Sequence, residues 1–244
     1  MEPVNLFIGS SSNNEDWEIE TAYRYSLEEN RNKNRPLNIH WMRQSNEGYW
    51  SGFDTRRWST PFSGFRWAIP EFMNFQGIAV YTDVDMINFR DIGDLADEFM
   101  YDRPVLARRG NRFGGHEFCV MVMDCAKMRN EVIPVARQKL NPDYHHRMID
   151  KFSGNDELTA DLDPRWNCLD GDERKVDQIW QLHFTNMATQ PWKPKWYTGK
   201  TEEHPRQDLV KIFEEYRNLG IKEGYDPSPS DTIWPAIEYN IIGR

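Results

Sequence analysis

The stretch GIAVYTDVD, residues 77–85, decides the fold. Residues 77–82 form an apolar run with the length and composition of a buried strand, and two aspartates follow where that run ends. Side chains alternate with period two along an extended segment, so Asp83 and Asp85 point the same way. Two carboxylates placed together predict an oxygen-rich site for a divalent cation. The simpler alternative is that Asp83 caps the strand and Asp85 caps the following turn.

Strands and helices alternate on both sides of this stretch. Apolar runs predict strands, and apolar residues at helical spacing predict helices. The predicted strands are 4–8, 37–42, 77–82, 104–108, 118–123 and 179–184, and the predicted helices are 16–30, 65–75, 91–100, 126–140, 144–152 and 206–219. The alternation predicts an α/β, Rossmann-like layered fold with a mixed, mainly parallel central sheet flanked by helices. Without a convincing linker or an internal repeat, we expect residues 1–244 to form a single domain.

Composition narrows the class of protein. The chain has 244 residues and a net charge of -9, which argues against a nucleic-acid binder. Its cysteines, Cys119, Cys125 and Cys168, are too few and too scattered for a disulfide framework or a zinc cluster. The N-terminal residues lack the pattern of a signal peptide, and no apolar run reaches the ~18 residues of a membrane span. We therefore expect a cytoplasmic protein without a membrane span.

His183 and the lysines that follow it complete the predicted site. The carboxyl ends of parallel strands open into one crevice, where the loop 9–14, the two aspartates and His183 would meet. An imidazole ligand favours Mn²⁺ over Mg²⁺. Lys193, Lys195 and Lys200 form a cationic loop that could fold over a diphosphate and exclude water. The alternatives are a hydrogen-bonded structural histidine and solvated surface lysines.

A set of segments, in this order and spacing, resembles a known enzyme family. The chain is similar to the retaining, glycogenin-like family 8 glycosyltransferases, which have a GT-A fold. The resemblance runs from the first strand to about Trp196. It is carried by residues 6–9 (LFIG), 65–70 (FRWAIP), 78–87 (IAVYTDVDMI), 91–95 (DIGDL), 117–124 (EFCVMVMD), 162–167 (LDPRWN), 183–185 (HFT) and 190–192 (QPW).

The resemblance implies a metal-dependent transfer of a sugar from a UDP-sugar to an acceptor hydroxyl, with retention. It implies that Asp83, Asp85 and His183 bind Mn²⁺, or else Mg²⁺, and that this ion bridges the diphosphate. It also implies a donor-binding part at about 1–100, an acceptor and metal-completing part at about 101–200, and a C-terminal helix and tail at 201–244. The implied donor contacts are Ile8, Gly9, Ser10, Val84 and Arg66.

The chain departs from the family pattern on the sugar side of the implied site. Glu117-Phe-Cys119 stands where relatives carry Asn-Ala-Gly or Asn-Ser-Gly, and Gln190 replaces the lysine of a Lys-Pro-Trp loop. Lys193 then becomes the candidate phosphate lysine. An Asp-Gln pair of the relatives has no clean match between Tyr144 and Asp161, where Asp150 and Asp156 are the nearest residues.

Two mechanisms and three classes of protein stay open at this point. A double displacement needs a carboxylate nucleophile, for which Glu117 or Asp150 is the candidate, whereas front-face attack needs none. A phosphohydrolase using Asp83 and Asp85 is one alternative to a glycosyltransferase, and a non-catalytic carbohydrate- or nucleotide-binding module is another. The sequence predicts neither the donor sugar, the acceptor nor the oligomeric state.

Overall fold

The computed structural model describes residues 1–110, 114–194 and 197–225. The chain order of its strands and α-helices is β1 Val4–Gly9, α1 Trp17–Asn30, β2 Leu37–Met42, α2 Ile69–Phe72, β3 Ile78–Asp83, β4 Met86–Asn88, α3 Ile92–Ala96, β5 Val105–Arg109, β6 His116–Asp124, α4 Val135–Gln138, α5 Asp143–Phe152, β7 Thr159–Asp161, β8 Cys168–Leu169, β9 Gln181–His183 and α6 Gln207–Lys222. Four short 3₁₀ helices, Phe65–Ala68, Lys127–Asn130, Pro164–Asn167 and Val176–Gln178, lie between them.

A six-stranded sheet forms the centre, in the order β2-β1-β3-β6-β5-β7. β1 runs parallel to β2 and β3, and β5 runs parallel to β7, whereas β6 is antiparallel to both of its neighbours. Apolar side chains of β1, β3, β5 and β6 are buried in one continuous core. The predicted mixed, mainly parallel α/β sheet is confirmed, and β6 is the strand that makes it mixed.

A second sheet of three short strands lies beside the first, in the order β4-β9-β8. β4 follows β3 after only Val84 and Asp85, and it pairs antiparallel with β9, so that Met86 lies opposite His183. The two sheets are therefore joined at the pair of aspartates. This connection brings a histidine from late in the chain to the end of β3.

Helices α1 and α6 pack against each other outside the sheets. Ile19, Ala22, Tyr23 and Leu27 recur at helical spacing along α1 and are buried, whereas Trp17 at the start of the helix is 38% exposed. The helices approach closely at Gly220, where an added Cβ would lie 2.7 Å from the backbone oxygen of Thr21. α6 therefore packs directly against α1.

Three helices are shorter than predicted. The predicted helix 126–140 is divided into a 3₁₀ turn and α4, because Pro134 lacks the N–H that a continuous helix requires. The predicted helix 65–75 ends at Phe72, and Asn74 and Phe75 then adopt positive φ. The helix predicted over 91–100 covers Ile92–Ala96. In the described part of the chain, no helix has the length and apolar character to cross a bilayer.

Candidate active site

A cavity of about 550 Å³ opens where β3 and β9 end. Both sheets contribute to its lining, because Asp83 is the last residue of β3 and His183 is the last residue of β9. Val84 and Asp85 line it from the connection between the sheets. The three predicted metal ligands therefore face one cavity.

Asp83 is fixed by the large sheet and the helix region beside it. Its Oδ1 accepts a hydrogen bond from the Tyr81 hydroxyl and another, 3.1 Å long, from Arg66 Nη2. Arg66 is buried, stacks 4.5 Å above the Tyr81 ring, and donates from Nε and Nη1 to the backbone oxygens of Ser63 and Phe118. This clamp leaves Oδ2 as the second oxygen that the carboxylate can offer to a ligand.

Asp85 and His183 belong to the small-sheet side of the cavity. His183 Nε2 lies 3.3 Å from Asp85 Oδ1, and Gln190 Nε2 donates to Asp85 Oδ2 over 3.3 Å. The other ring nitrogen, Nδ1, lies 2.9 Å from Asn167 Oδ1. A carboxamide oxygen only accepts, so this contact holds the proton on Nδ1 and leaves the Nε2 lone pair facing the cavity.

The donor set fits a divalent cation. Carboxylate oxygen and neutral imidazole are ligands that Mn²⁺, Mg²⁺ and related ions accept. Asp85 Oδ1 is buried, and its one neighbour that can donate among the described residues is His183 Nε2, 3.3 Å away, which donates only when the imidazole is protonated. In the neutral imidazole, two acceptors face each other at this point, and a cation bound between them would satisfy both.

Electrostatics set the protonation of these groups. Burial raises the pKa of Asp83, with Asp85 adding to the effect, while Arg66 acts in the opposite direction. Burial lowers the pKa of His183, but the neighbouring Asp85 carboxylate outweighs it, so that the net direction is upward. Both directions follow from two carboxylates held close together in a water-poor site. A bound cation would relieve this repulsion.

The residues implied as nucleotide contacts lie in different places. Val84 lines the cavity, whereas Ile8, Gly9 and Ser10 are buried and are not part of its lining. Ser10 Oγ donates to Glu20, and an added Cβ at Gly9 would lie 2.6 Å from the Phe62 ring. Ser10 and Gly9 therefore contact other residues of the protein, Glu20 and Phe62.

Lys193 and Lys200 of the predicted cationic loop have different partners. Lys193 Nζ donates to the backbone oxygens of Met187 and Gln190, which folds the loop onto itself. Lys200 is exposed and pairs with Glu202. Lys195 lies outside the described residues, as does the part of the predicted C-terminal tail from residue 226 onward.

The two candidate carboxylate nucleophiles are placed differently. Glu117 lines the cavity, and its buried Oε2 has no hydrogen-bond partner among the described residues, with Arg108 Nε 3.8 Å away. Asp150 is exposed on α5 and is not part of the lining, to which that helix contributes His145 and Ile149. Of the two, only Glu117 faces the cavity.

The cavity residues that were not predicted include a thiol, a carboxyl and an imidazole. Cys119 reaches it from β6, Asp16 from the loop before α1, and His145 from α5. Burial raises the pKa of Asp16 to about 7, whereas burial and then Arg66 lower that of His145 to about 2. Cys119 could have been found from the alternation along β6, because it shares a face with Glu117. Asp16 and His145 carried no comparable signal.

Comparison with known proteins gives matches in structure and none in sequence. No family model and no curated protein sequence matches the chain. The apo form of the glycosyltransferase GlyE of Streptococcus pneumoniae TIGR4 matches with a TM-score of 0.61 and 17% identity, over 92% of this chain and 63% of that protein. This chain thus spans less than two thirds of that protein's length.

Two other glycosyltransferases match over nearly their whole length. The galactosyltransferase LgtC, in complex with donor and acceptor sugar analogues, has a TM-score of 0.60 and 11% identity, over 88% of this chain and 96% of that one. Apo mouse xyloside xylosyltransferase 1 has a TM-score of 0.53 and 14% identity, over 76% of this chain and 98% of its own. The chain therefore has the fold of GT-A-type glycosyltransferases.

Proposed function

We propose that this chain is a metal-dependent glycosyltransferase that moves a sugar from a UDP-sugar to an acceptor hydroxyl with retention at the anomeric carbon. The observation that carries this proposal is the meeting of Asp83, Asp85 and His183 at one cavity of a GT-A-type fold. The family 8 resemblance of the sequence supports the choice of UDP and of retention. Fold likeness alone would leave both open.

Asp83, Asp85 and His183 would hold the cation. Mn²⁺ bound by these residues would supply a Lewis acid that neutralises charge on the departing diphosphate. Arg66 would keep the Asp83 carboxylate in position through Nη2. It also lines the cavity, where the second N–H groups of Nη1 and Nη2 would be available to the donor. Asn167 would orient the imidazole through Nδ1.

The donor would lie between the cation site and β6. Val84 and Asp16 line the cavity beside Asp85, where the nucleotide would bind, and Glu117 lines it on β6, where the sugar would lie. A carboxyl near pKa 7, as in Asp16, can donate as well as accept a hydrogen bond. Glu117 would then be the carboxylate closest to the reacting sugar, either as nucleophile or as a stabiliser of positive charge during front-face attack.

The loop 184–194 would exclude water from the closed site. Gln190 already connects it to Asp85, and Met187, Trp192 and Pro194 line the cavity. Lys193 would have to exchange the backbone oxygens of Met187 and Gln190 for a phosphate oxygen. A lysine that moves in this way contributes electrostatic stabilisation when the loop closes.

Release of UDP from a panel of UDP-sugars with Mn²⁺ tests the proposal. We expect release with at least one donor, its loss in Asp85→Asn, and unchanged release in Asp177→Asn, a matched substitution of an exposed residue. An aryl phosphate serves as the second substrate. Phosphate release from it, without turnover of any UDP-sugar, would assign a phosphohydrolase and contradict the proposal.

A further inference from the structure

Cys119 lies next to Asp83 because of the register of two neighbouring strands. β3 and β6 pair antiparallel, with Tyr81 opposite Met121 and Thr82 opposite Val120. Continued by one residue, this register places Asp83 opposite Cys119. Directly opposed residues on one face of an antiparallel pair have Cβ atoms about 5 Å apart, so the thiol and the carboxylate extend toward the same space.

The Cys119 sulfur also converges with the histidine of the small sheet. Ligand atoms of Asp83, Cys119 and His183 lie within 4.8 Å of one another, the only such group of three among the described histidine, cysteine, aspartate and glutamate side chains. Cys119 is half-buried and lines the cavity, whereas Cys125 and Cys168 are fully buried. The buried oxygen Asp85 Oδ1 lines the same cavity and faces His183 Nε2 at 3.3 Å, so that a fourth ligand atom lies beside the group of three.

We propose that Cys119 is a ligand of the cation held by Asp83, Asp85 and His183, which makes this a mixed oxygen, nitrogen and sulfur site. The inference rests on the cation site of the proposed function and adds a ligand that sequence reasoning did not assign. As the bond from Sγ to the metal forms, the thiol proton passes to solvent. The thiolate would supply a sulfur donor beside the carboxylates and the imidazole.

A thiolate ligand changes which ion the site prefers. Sulfur ligands favour Zn²⁺, Co²⁺ and Cd²⁺, whereas Mg²⁺ prefers oxygen ligands in octahedral geometry. We therefore expect the native site to bind Co²⁺ or Zn²⁺ much more tightly than Mg²⁺. Replacing the thiol with a hydroxyl should reduce that preference while leaving binding of Mg²⁺ nearly unchanged.

Absorption spectroscopy of the full chain with Co²⁺ and UDP tests this ligand directly. A thiolate ligand gives an intense near-ultraviolet charge-transfer band, in addition to the weaker visible bands of bound Co²⁺. We expect both in the native protein, loss of only the near-ultraviolet band in Cys119→Ser, and no change in Cys125→Ala. Visible bands without a charge-transfer band in the native protein would overturn the cysteine ligand and leave the cation site intact.

A second measurement covers the case in which Cys119→Ser does not fold. In the native protein, alkylation by iodoacetamide mapped to Cys119 should be slowed by Co²⁺ or Zn²⁺ and not by Mg²⁺. Equal labelling of Cys119 with and without Co²⁺ would overturn the proposal. The absence of any visible cobalt band, with UDP present, would overturn the cation site itself and this inference with it.

Discussion

The two sheets present their ligands to the cavity by different means. The large sheet holds Asp83 with a buried arginine and a tyrosine hydroxyl, so its carboxylate is fixed by charge. On the small-sheet side, His183 Nδ1 donates a hydrogen bond to the uncharged side chain of Asn167, through its Oδ1. We infer that substitutions around Asp83 mainly lower the free energy of unfolding, whereas substitutions around His183 mainly lower the affinity for ligands.

Arg66→Met would break the charged clamp and is the largest expected effect. It leaves Asp83 buried without its partner, and removing one member of a buried ion pair typically costs about 3–5 kcal/mol of unfolding free energy. The matched variant is Arg56→Met, which removes an exposed pair with Asp54 and should leave the unfolding free energy nearly unchanged. Denaturant unfolding of both variants measures the difference. Equal costs would show that Arg66 does not act through Asp83.

Asp16 can be compared with Asp83, because it is a buried carboxyl at the same cavity that has no arginine like Arg66 beside it in the described part of the chain. Burial raises its pKa from 3.8 to about 7 in the folded protein. A raised carboxyl pKa contributes stability that is fully present below about pH 4 and is lost as the pH rises through 7. Asp16→Asn cannot ionise, so it should be more stable than the native protein above pH 7 and nearly equal to it at pH 4.

The gain in unfolding free energy of Asp16→Asn above pH 7 has an upper limit of about 4 kcal/mol, since each tenfold change in the proton affinity of Asp16 corresponds to about 1.4 kcal/mol. Unfolding free energies at pH 4 and pH 8 check it, with Asp102→Asn as a fully exposed control. A difference between Asp16→Asn and the native protein that does not change with pH would show that Asp16 is not titrating in this range.

Asn167→Ala would test the small-sheet side, where Asn167 accepts a hydrogen bond from His183. It has the smallest expected effect. Loss of a hydrogen bond that orients a metal-bound histidine typically lowers metal affinity by about 10–100-fold. Asn167→Asp keeps an oxygen acceptor for Nδ1 and should retain most of the affinity. Calorimetric titration with Mn²⁺ in the presence of UDP measures both variants. Equal losses in the two would show that Asn167 acts by packing alone.

The difference between the sheets also explains what the sequence could predict. The strands of the large sheet that lie in the core carry long apolar runs, such as Val4–Gly9 and Ile78–Asp83. Such runs predict strands from the sequence alone. The small sheet has strands of three residues or fewer, of which the sequence indicated only the one around His183. Such short strands form because a neighbour pairs with them, which is a tertiary effect that local periodicity does not carry.

The candidate site follows the same division. Asp83, Asp85 and His183 could be named because paired carboxylates after a strand, together with a later histidine, form a recognisable pattern. The clamp by Arg66 and the approach of Cys119 depend on how β3 and β6 pair, since strand register decides which side chains become neighbours. Pairing between distant segments is not encoded in any one of them.

Calorimetric titration of the protein with UDP, in Mn²⁺ and then in excess chelator, tests the central claim most directly. That claim is that this cavity binds a nucleoside diphosphate through a cation held jointly by both sheets. We predict UDP binding with Mn²⁺, its loss with chelator, and its loss in Asp85→Asn but not in Asp177→Asn. UDP binding of equal affinity with Mn²⁺ and with chelator would contradict the account.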